Sequence, residues 1–444
     1  MLRYAPRIQE LTLDEDALSL KILQSSWFRT TLLLPNLRKL HWRYNDYTVL
    51  TSIRLLLNPS LVHLHVPQKI GNNASVLAFL ESFHTFSPNI KSLQIHHASD
   101  LATMVSRVIS RLPNLEFLDC NYIDEAALIH VSRSRRLQKF CSILFYHQPD
   151  GLEQIAGYGT PDRSPFENVR FLDLKLGDLA SIIPCLKAHH QPFEEVSFEI
   201  YRFTPPKAFH DFFAALSSVT RRRTLRRITL SATYWTLEEA LKCDDLVDFQ
   251  VLSPLATLNL DKLDVDIKVP ISLNDDELVQ LVQGWPRLEC LSLNRYAGWY
   301  FVPSLQFPTL RGLSLVLARC PKLSELALSW DATNIPSLSD EEASVRNTAI
   351  TKFAVACSPI GGPTARVARF LLERLPSLVE IPTSVYPRMW MKVDSANMHM
   401  KDSALTSMWR KVEWHIQRIR GLECSSSEFS ESETGTEDIL ERMH

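Results

Sequence analysis

The nine residues LPNLRKLHW at 34–42 return as LPNLEFLDC at 112–120. SPNIKSLQI (87–95), WPRLECLSL (285–293) and CPKLSELAL (320–328) repeat the pattern with substitutions. Aligned on proline-x-L-x-x-L-x-L, with any apolar residue allowed at L, copies begin near 6, 35, 59, 88 and 113. Fainter copies follow near 135, 167, 193, 223 and 258, and clearer ones near 286, 321, 348 and 376. From 6 to 376 is 370 residues in 13 steps, a mean period of about 28. A chain that rewrites one short motif at that period builds one small unit many times. Such a unit cannot bury its apolar face alone and has to stack on its neighbours.

In L-x-L the two apolar side chains point to one face of a short strand and the intervening residues to the other. The proline before it has no N–H to donate and suits the start of a strand. Between strands the apolar spacing becomes helical. LNDDELVQLVQGWP places Leu278, Leu281 and Val282 on one face, with Asn274 or Asp275 as N-cap. PTLRGLSLVLARCP does so with Leu310, Leu313, Leu317 and Cys320, and PTARVARFLLERLP with Val367, Phe370, Leu371 and Leu375. Helix followed by strand, at this period and with this core, is the leucine-rich-repeat signature. The expected fold is α/β: a right-handed leucine-rich-repeat solenoid, or horseshoe, of about 14 irregular repeats over 1–385. Its curved parallel sheet would line the concave side and its helices the convex side.

DDELVQLVQGWPRLECLSL and TLRGLSLVLARCPKLSELAL resemble the cysteine-containing leucine-rich repeats of F-box/leucine-rich-repeat proteins, with Trp285 or Cys320 before the proline. The opening YAPRIQEL and LLPNLRKLHW resemble fungal F-box-type proteins in particular. The resemblance covers residues 4–385. It implies substrate recognition for a cullin-RING (SCF-type) ubiquitin ligase. The chain departs from the family in three ways. The asparagine that often ends the repeat occurs once in register, as Asn45, and the repeats between 135 and 265 are irregular. No LPxE opening of an F-box is present, so the family's adaptor-binding role maps onto no residue here.

The ends and the composition narrow the function. Ile8, Leu11 and Leu13 are in strand register almost at once. The expectation is therefore that a partner covers that edge or that an F-box segment precedes it, the second being preferred. At the other end, 386–421 reads as a capping segment with an amphipathic helix, its apolar face being Leu405, Met408, Trp409, Val412, Ile416 and Ile419. Residues 422–444 read as an acidic, Ser-rich, disordered tail that aids solubility. Ser425, Ser430 and Thr434 there resemble acidophilic kinase sites. A net charge of −2 supplies no global pull toward nucleic acid or an anionic membrane. The apolar runs are too short to span a bilayer, and no signal peptide is evident. Eight cysteines without a CxxC pair point to reduced thiols, and hence to the cytoplasm or nucleus. Only 12 glycines in 444 residues argue against phosphate-cradling loops.

Three clusters invite chemistry. His84, His96 and His97 lack a carboxylate at ligand spacing and read as exposed strand-end histidines. Arg221, Arg222, Arg223, Arg226 and Arg227 read as a solvated loop and outer strand positions, with phosphate or acidic-peptide binding as the alternative. Asp275 and Asp276 read as helix-start residues. GxSxG, HExxH, GxGxxG and Walker patterns are absent, and "GYGT" and "GG" read as turns. The expectation is thus a non-enzyme without cofactor or metal, binding a protein target through its strand face. No nucleic-acid or membrane partner is expected, and a ligase adaptor only if an F-box precedes this sequence. Candidate contacts are Arg38, Lys39 and His41; His63 and His65; Lys91; Phe117 and Asp119; Phe171 and Asp173; and Arg226 and Arg227. Phe117 and Phe171 are natural interface anchors, whereas Trp42 belongs to the core. The insertions at 145–166 and 295–307 read as loops where specificity could reside. The alternatives are an F-box-free repeat scaffold and, more weakly, an enzyme whose acids and histidines meet only in the fold.

Overall fold

The computed structural model describes residues 4–14, 33–43, 53–70, 74–144, 165–188, 193–219, 224–233, 246–267, 269–295, 305–356, 358–383 and 396–421. Two compact units divide the chain, Met1–Val269 and Pro270–His444. Asn45, Arg221, Arg222, Arg223, the GYGT turn, the acidic tail and most of the two insertions lie outside the described residues.

In Met1–Val269 the motif copies become ten parallel strands in chain order. They are β1 (Glu10–Leu13), β2 (Lys39–Trp42), β3 (His63–Ile70), β4 (Ser92–His97), β5 (Phe117–Cys120), β6 (Lys139–Ile143), β7 (Phe171–Leu176), β8 (Glu195–Ile200), β9 (Arg227–Ala232) and β10 (Lys262–Asp266). The second leucine of each motif stands beside its counterpart in the next. Leu11, Leu40, Leu64, Leu93, Leu118, Phe140, Leu172, Val196, Ile228 and Leu263 form one continuous cross-strand row. From Leu40 onward every member is buried. Full burial of such a side chain is worth about 1.5–3 kcal/mol, so the row is a large part of what holds the strands in register. Helices precede the strands and lie side by side: Ala74–Phe86 against Ala102–Ser110, that against Glu125–Ser132, and Ile183–Ala188 against Pro206–Val219.

The register corrects the alignment once. Val196 pairs with Leu172 and Ile228, which moves the copy at 193 two residues upstream and gives the first-leucine place to buried Phe193. An asparagine at the second position of the motif also acquires a role. Asn36 Nδ2 donates to the Pro6 carbonyl at 2.8 Å, Asn89 to Pro59 at 2.9 Å, and Asn168 to Arg135 at 2.7 Å. Each ties its turn to the equivalent turn one repeat earlier.

In Pro270–His444 the strands are β11 (Cys290–Leu293), β12 (Glu325–Ala327) and β13 (Phe353–Ala354), also parallel and in order. A bridge from Lys352 to Glu380 carries the fourteenth motif. Asn274, not Asp275, caps the helix Asp275–Val282 in a full capping box with Glu277. Asp275 instead accepts from the Thr309 amide (2.6 Å) and hydroxyl (2.7 Å) at the start of the next helix, Leu310–Arg319. The predicted apolar faces of these helices and of Thr364–Arg374 are buried. The helix Ala396–Ile419 packs on Thr364–Arg374. Trp409, Val412 and Ile416 are buried there and Trp409 Nε1 donates to the Ser358 carbonyl at 2.9 Å. Ile419, expected on the apolar face, is instead 58% exposed in the last turn. Gly361 and Gly362 lie at a bend in the chain: Gly362 has φ +66°, and a Cβ on Gly361 would lie 2.8 Å from the Thr333 carbonyl.

Candidate partner-binding face

With alternate side chains committed to the core, each strand of Met1–Val269 turns the others outward. The register aligns them in two rows. The first runs Glu10, Lys39, His63, Ser92, Phe117, Lys139, Phe171, Glu195, Arg227, Lys262. The second runs Thr12, His41, His65, Gln94, Asp119, Cys141, Asp173, Ser197, Thr229, Asp264. Nine of the candidate residues therefore share one surface: Lys39, His41, His63, His65, Phe117, Asp119, Phe171, Asp173 and Arg227. Arg38, Lys91 and Arg226 do not. They stand one residue before their strands, on the rim, where their carbonyls each accept two amides from the next repeat.

The face is largely self-neutralised by cross-strand ion pairs: Lys39–Glu10 at 3.3 Å, Lys175–Glu199 at 2.6 Å and Arg227–Glu195 at 3.4 Å. Lys262 pairs within its own strand with Asp264 at 3.3 Å. The Lys139 ammonium lies 5.4 Å from the centre of the Phe117 ring, a cation–π distance. His96, expected to lack a carboxylate, has Asp119 Oδ1 at 3.2 Å from Nε2, supplied by the neighbouring strand. His97, expected to be exposed, points to the other face and is fully buried, with Nδ1 bonded to the Ala98 carbonyl at 2.8 Å. The alternation that turns His96 outward turns His97 inward.

Burial governs the titrating groups. Crowding by the surrounding strand face raises Asp173 although the residue is exposed, with a hydrogen bond from Ser197 opposing and the negative charge of Asp119 adding. Burial would also raise Glu199, but hydrogen bonds from Lys175, Thr233 and Tyr201 outweigh it and hold that carboxylate low. The Cys141 thiol, between Asp119 and Asp173, is pushed up to about 12 by burial and by those two carboxylates. A thiol so placed stays protonated and is a poor nucleophile or metal ligand. Among the described residues no group of three or more His, Cys, Asp or Glu could hold a metal. Cys120, Cys141, Cys185, Cys290 and Cys320 are free thiols.

The corresponding positions of Pro270–His444 differ. Cys290 and Ser292 on β11, Ala327 on β12 and Ala354 on β13 are all buried, so both faces of β11 are covered. Lys139, Cys141, Lys175, Glu195, Glu199, Lys262 and Asp264 belong to the open face but were not among the sequence candidates. Extending the strand register through the irregular repeats would have found them.

The chain is thus an α/β repeat protein with parallel strands in chain order and one polar, aromatic-bearing strand face. No family model matches it, and no curated protein matches it. Among solved structures it is similar to a chain of the crystal structure of the Rad7 and Elc1 complex in yeast, at 14% identity and a TM-score of 0.37, over 79% of this chain and 85% of that one. No helix among the described residues is long and apolar enough to cross a membrane.

Proposed function

We propose that this chain is a non-enzymatic, right-handed leucine-rich-repeat solenoid that recognises another protein through the strand face of β2–β10. The observation that carries the reading is the pair Phe117 and Phe171, half-buried and two strands apart in one row with Lys139 between them. Glu195 beside Phe171 is already paired with Arg227, and the Lys139 ammonium rests against the Phe117 ring. Aromatic anchors among satisfied polar groups are what a protein interface needs, because docking then buries apolar area without stranding a charge. The test is co-purification from cell extract of wild type against Phe117→Ala/Phe171→Ala. The expected result is specific partners lost from the variant; an unchanged set would end the assignment of this face.

The family resemblance carries the role further, to substrate recognition for a cullin-RING ligase in the cytoplasm or nucleus. Recovery of the ligase adaptor with the full-length gene product is the expected result. Targets recovered without adaptor would instead make the chain a free-standing repeat scaffold.

A further inference from the structure

At the rim where β5, β6 and β7 begin, six side chains line an open groove of about 330 Å³: Glu116, Arg135, Arg136, Gln138, Asn168 and Arg170. The repeat places them there. Glu116, Gln138 and Arg170 each stand one residue before a strand, and Arg135, Arg136 and Asn168 occupy the preceding turns. Glu116 is already taken by Lys91 at 2.7 Å, and Arg170 is paired with Glu194 at 3.1 Å. Arg136 donates to the neutral Asn114 Oδ1. Among the described residues nothing pairs with the Arg135 guanidinium, while its carbonyl holds Asn168 in place at 2.7 Å.

We propose that this groove is a binding site for a phosphate monoester dianion. Four cations (Lys91, Arg135, Arg136, Arg170) stand against two carboxylates (Glu116, Glu194), leaving two positive charges. A monoester carries close to two negative charges at neutral pH and offers three terminal oxygens, whereas a carboxylate brings one charge and two oxygens. Planar guanidinium forks match that geometry, and the Gln138 amide adds a neutral donor. The site lies on the rim and not on the strand face, so it stands or falls independently of the proposed partner surface.

The test is the thermal midpoint of the full chain at constant ionic strength, titrated with N-acetyl-phosphoserine amide, inorganic phosphate and N-acetyl-aspartate amide. The phosphorylated compound should raise the midpoint by about 1–2 °C at ten times its dissociation constant. Arg135→Glu/Arg136→Glu, changing two exposed side chains, should keep the wild-type midpoint in chloride and lose the rise. If that pair fails to fold, Arg135→Gln/Arg136→Gln takes its place. A larger effect of the phosphoserine compound than of inorganic phosphate supports a protein-borne phosphate. Equal effects of the two support the dianion site with free phosphate as its ligand. An equal rise with the aspartate compound, or a rise retained in the arginine variants, overturns the proposal.

Discussion

His41 and His65 meet Nδ1 to Nδ1 at 3.1 Å across β2 and β3, so the hydrogen bond between them needs one nitrogen protonated and the other bare. Burial lowers the pKa of His65, and the positive charges of His41, His96 and Arg43 lower it further against the pull of Asp119. Burial also lowers His63 and His97.

A histidine whose folded pKa lies below its ordinary 6.5 is protonated first in the unfolded chain. The stability it contributes is therefore full above 6.5 and is lost as pH falls toward the folded value. Urea midpoints should drop between pH 7.5 and 5.5, and His65→Gln should flatten that slope. A slope identical in wild type and variant would remove His65 from the account.

Gly312 lies inside the helix Leu310–Arg319, where alanine is ordinarily preferred by about 1 kcal/mol. Here a Cβ would overlap Asp275 Oδ1 and crowd the Pro308 side chain, displacing the carboxylate that holds Thr309. Gly312→Ala should therefore lower the thermal midpoint, and a raised midpoint would show that Asp275 moves aside freely.

Buried Asn58 donates from Nδ2 toward the Leu34, Leu37 and Leu56 carbonyls and accepts the Ser60 amide at 2.7 Å. Asn58→Ala takes this partner from the Leu37 and Leu56 carbonyls and the Ser60 amide, while the Leu34 carbonyl keeps the Leu37 amide, and each buried orphan costs about 1–3 kcal/mol. Asn58→Ala should cost more than Asn89→Ala, whose side chain is exposed; equal losses in denaturant titrations would contradict this.

Phe117 and Leu118 are adjacent in β5 but face opposite ways, one half-buried and one fully buried. Leu118→Ala should cost about 2–5 kcal/mol through transfer and cavity effects. Phe117→Ala should cost under about 1 kcal/mol, yet abolish partner capture. Comparable stability losses would mean that Phe117 serves the core.

In the regular repeats the periodicity alone determined where the strands begin and which of their side chains enter the core, because a short strand has only two faces and leucine has one use for them. Trp42, Leu118 and the leucines of 278–282 and 310–317 are buried as their spacing requires. Only the tertiary structure decided what lies between the repeats. The His96–Asp119 pair, the Cys141 thiol flanked by two carboxylates and the rim arginines around Glu116 each join residues roughly 20 to 55 positions apart. Local spacing is silent about such pairs until the register is known, and the two-residue correction at Val196 shows how easily register slips in the irregular repeats. Tertiary structure also decided that the strand face is open in Met1–Val269 and covered at β11, since burial depends on everything packed against a strand and not on its own residues.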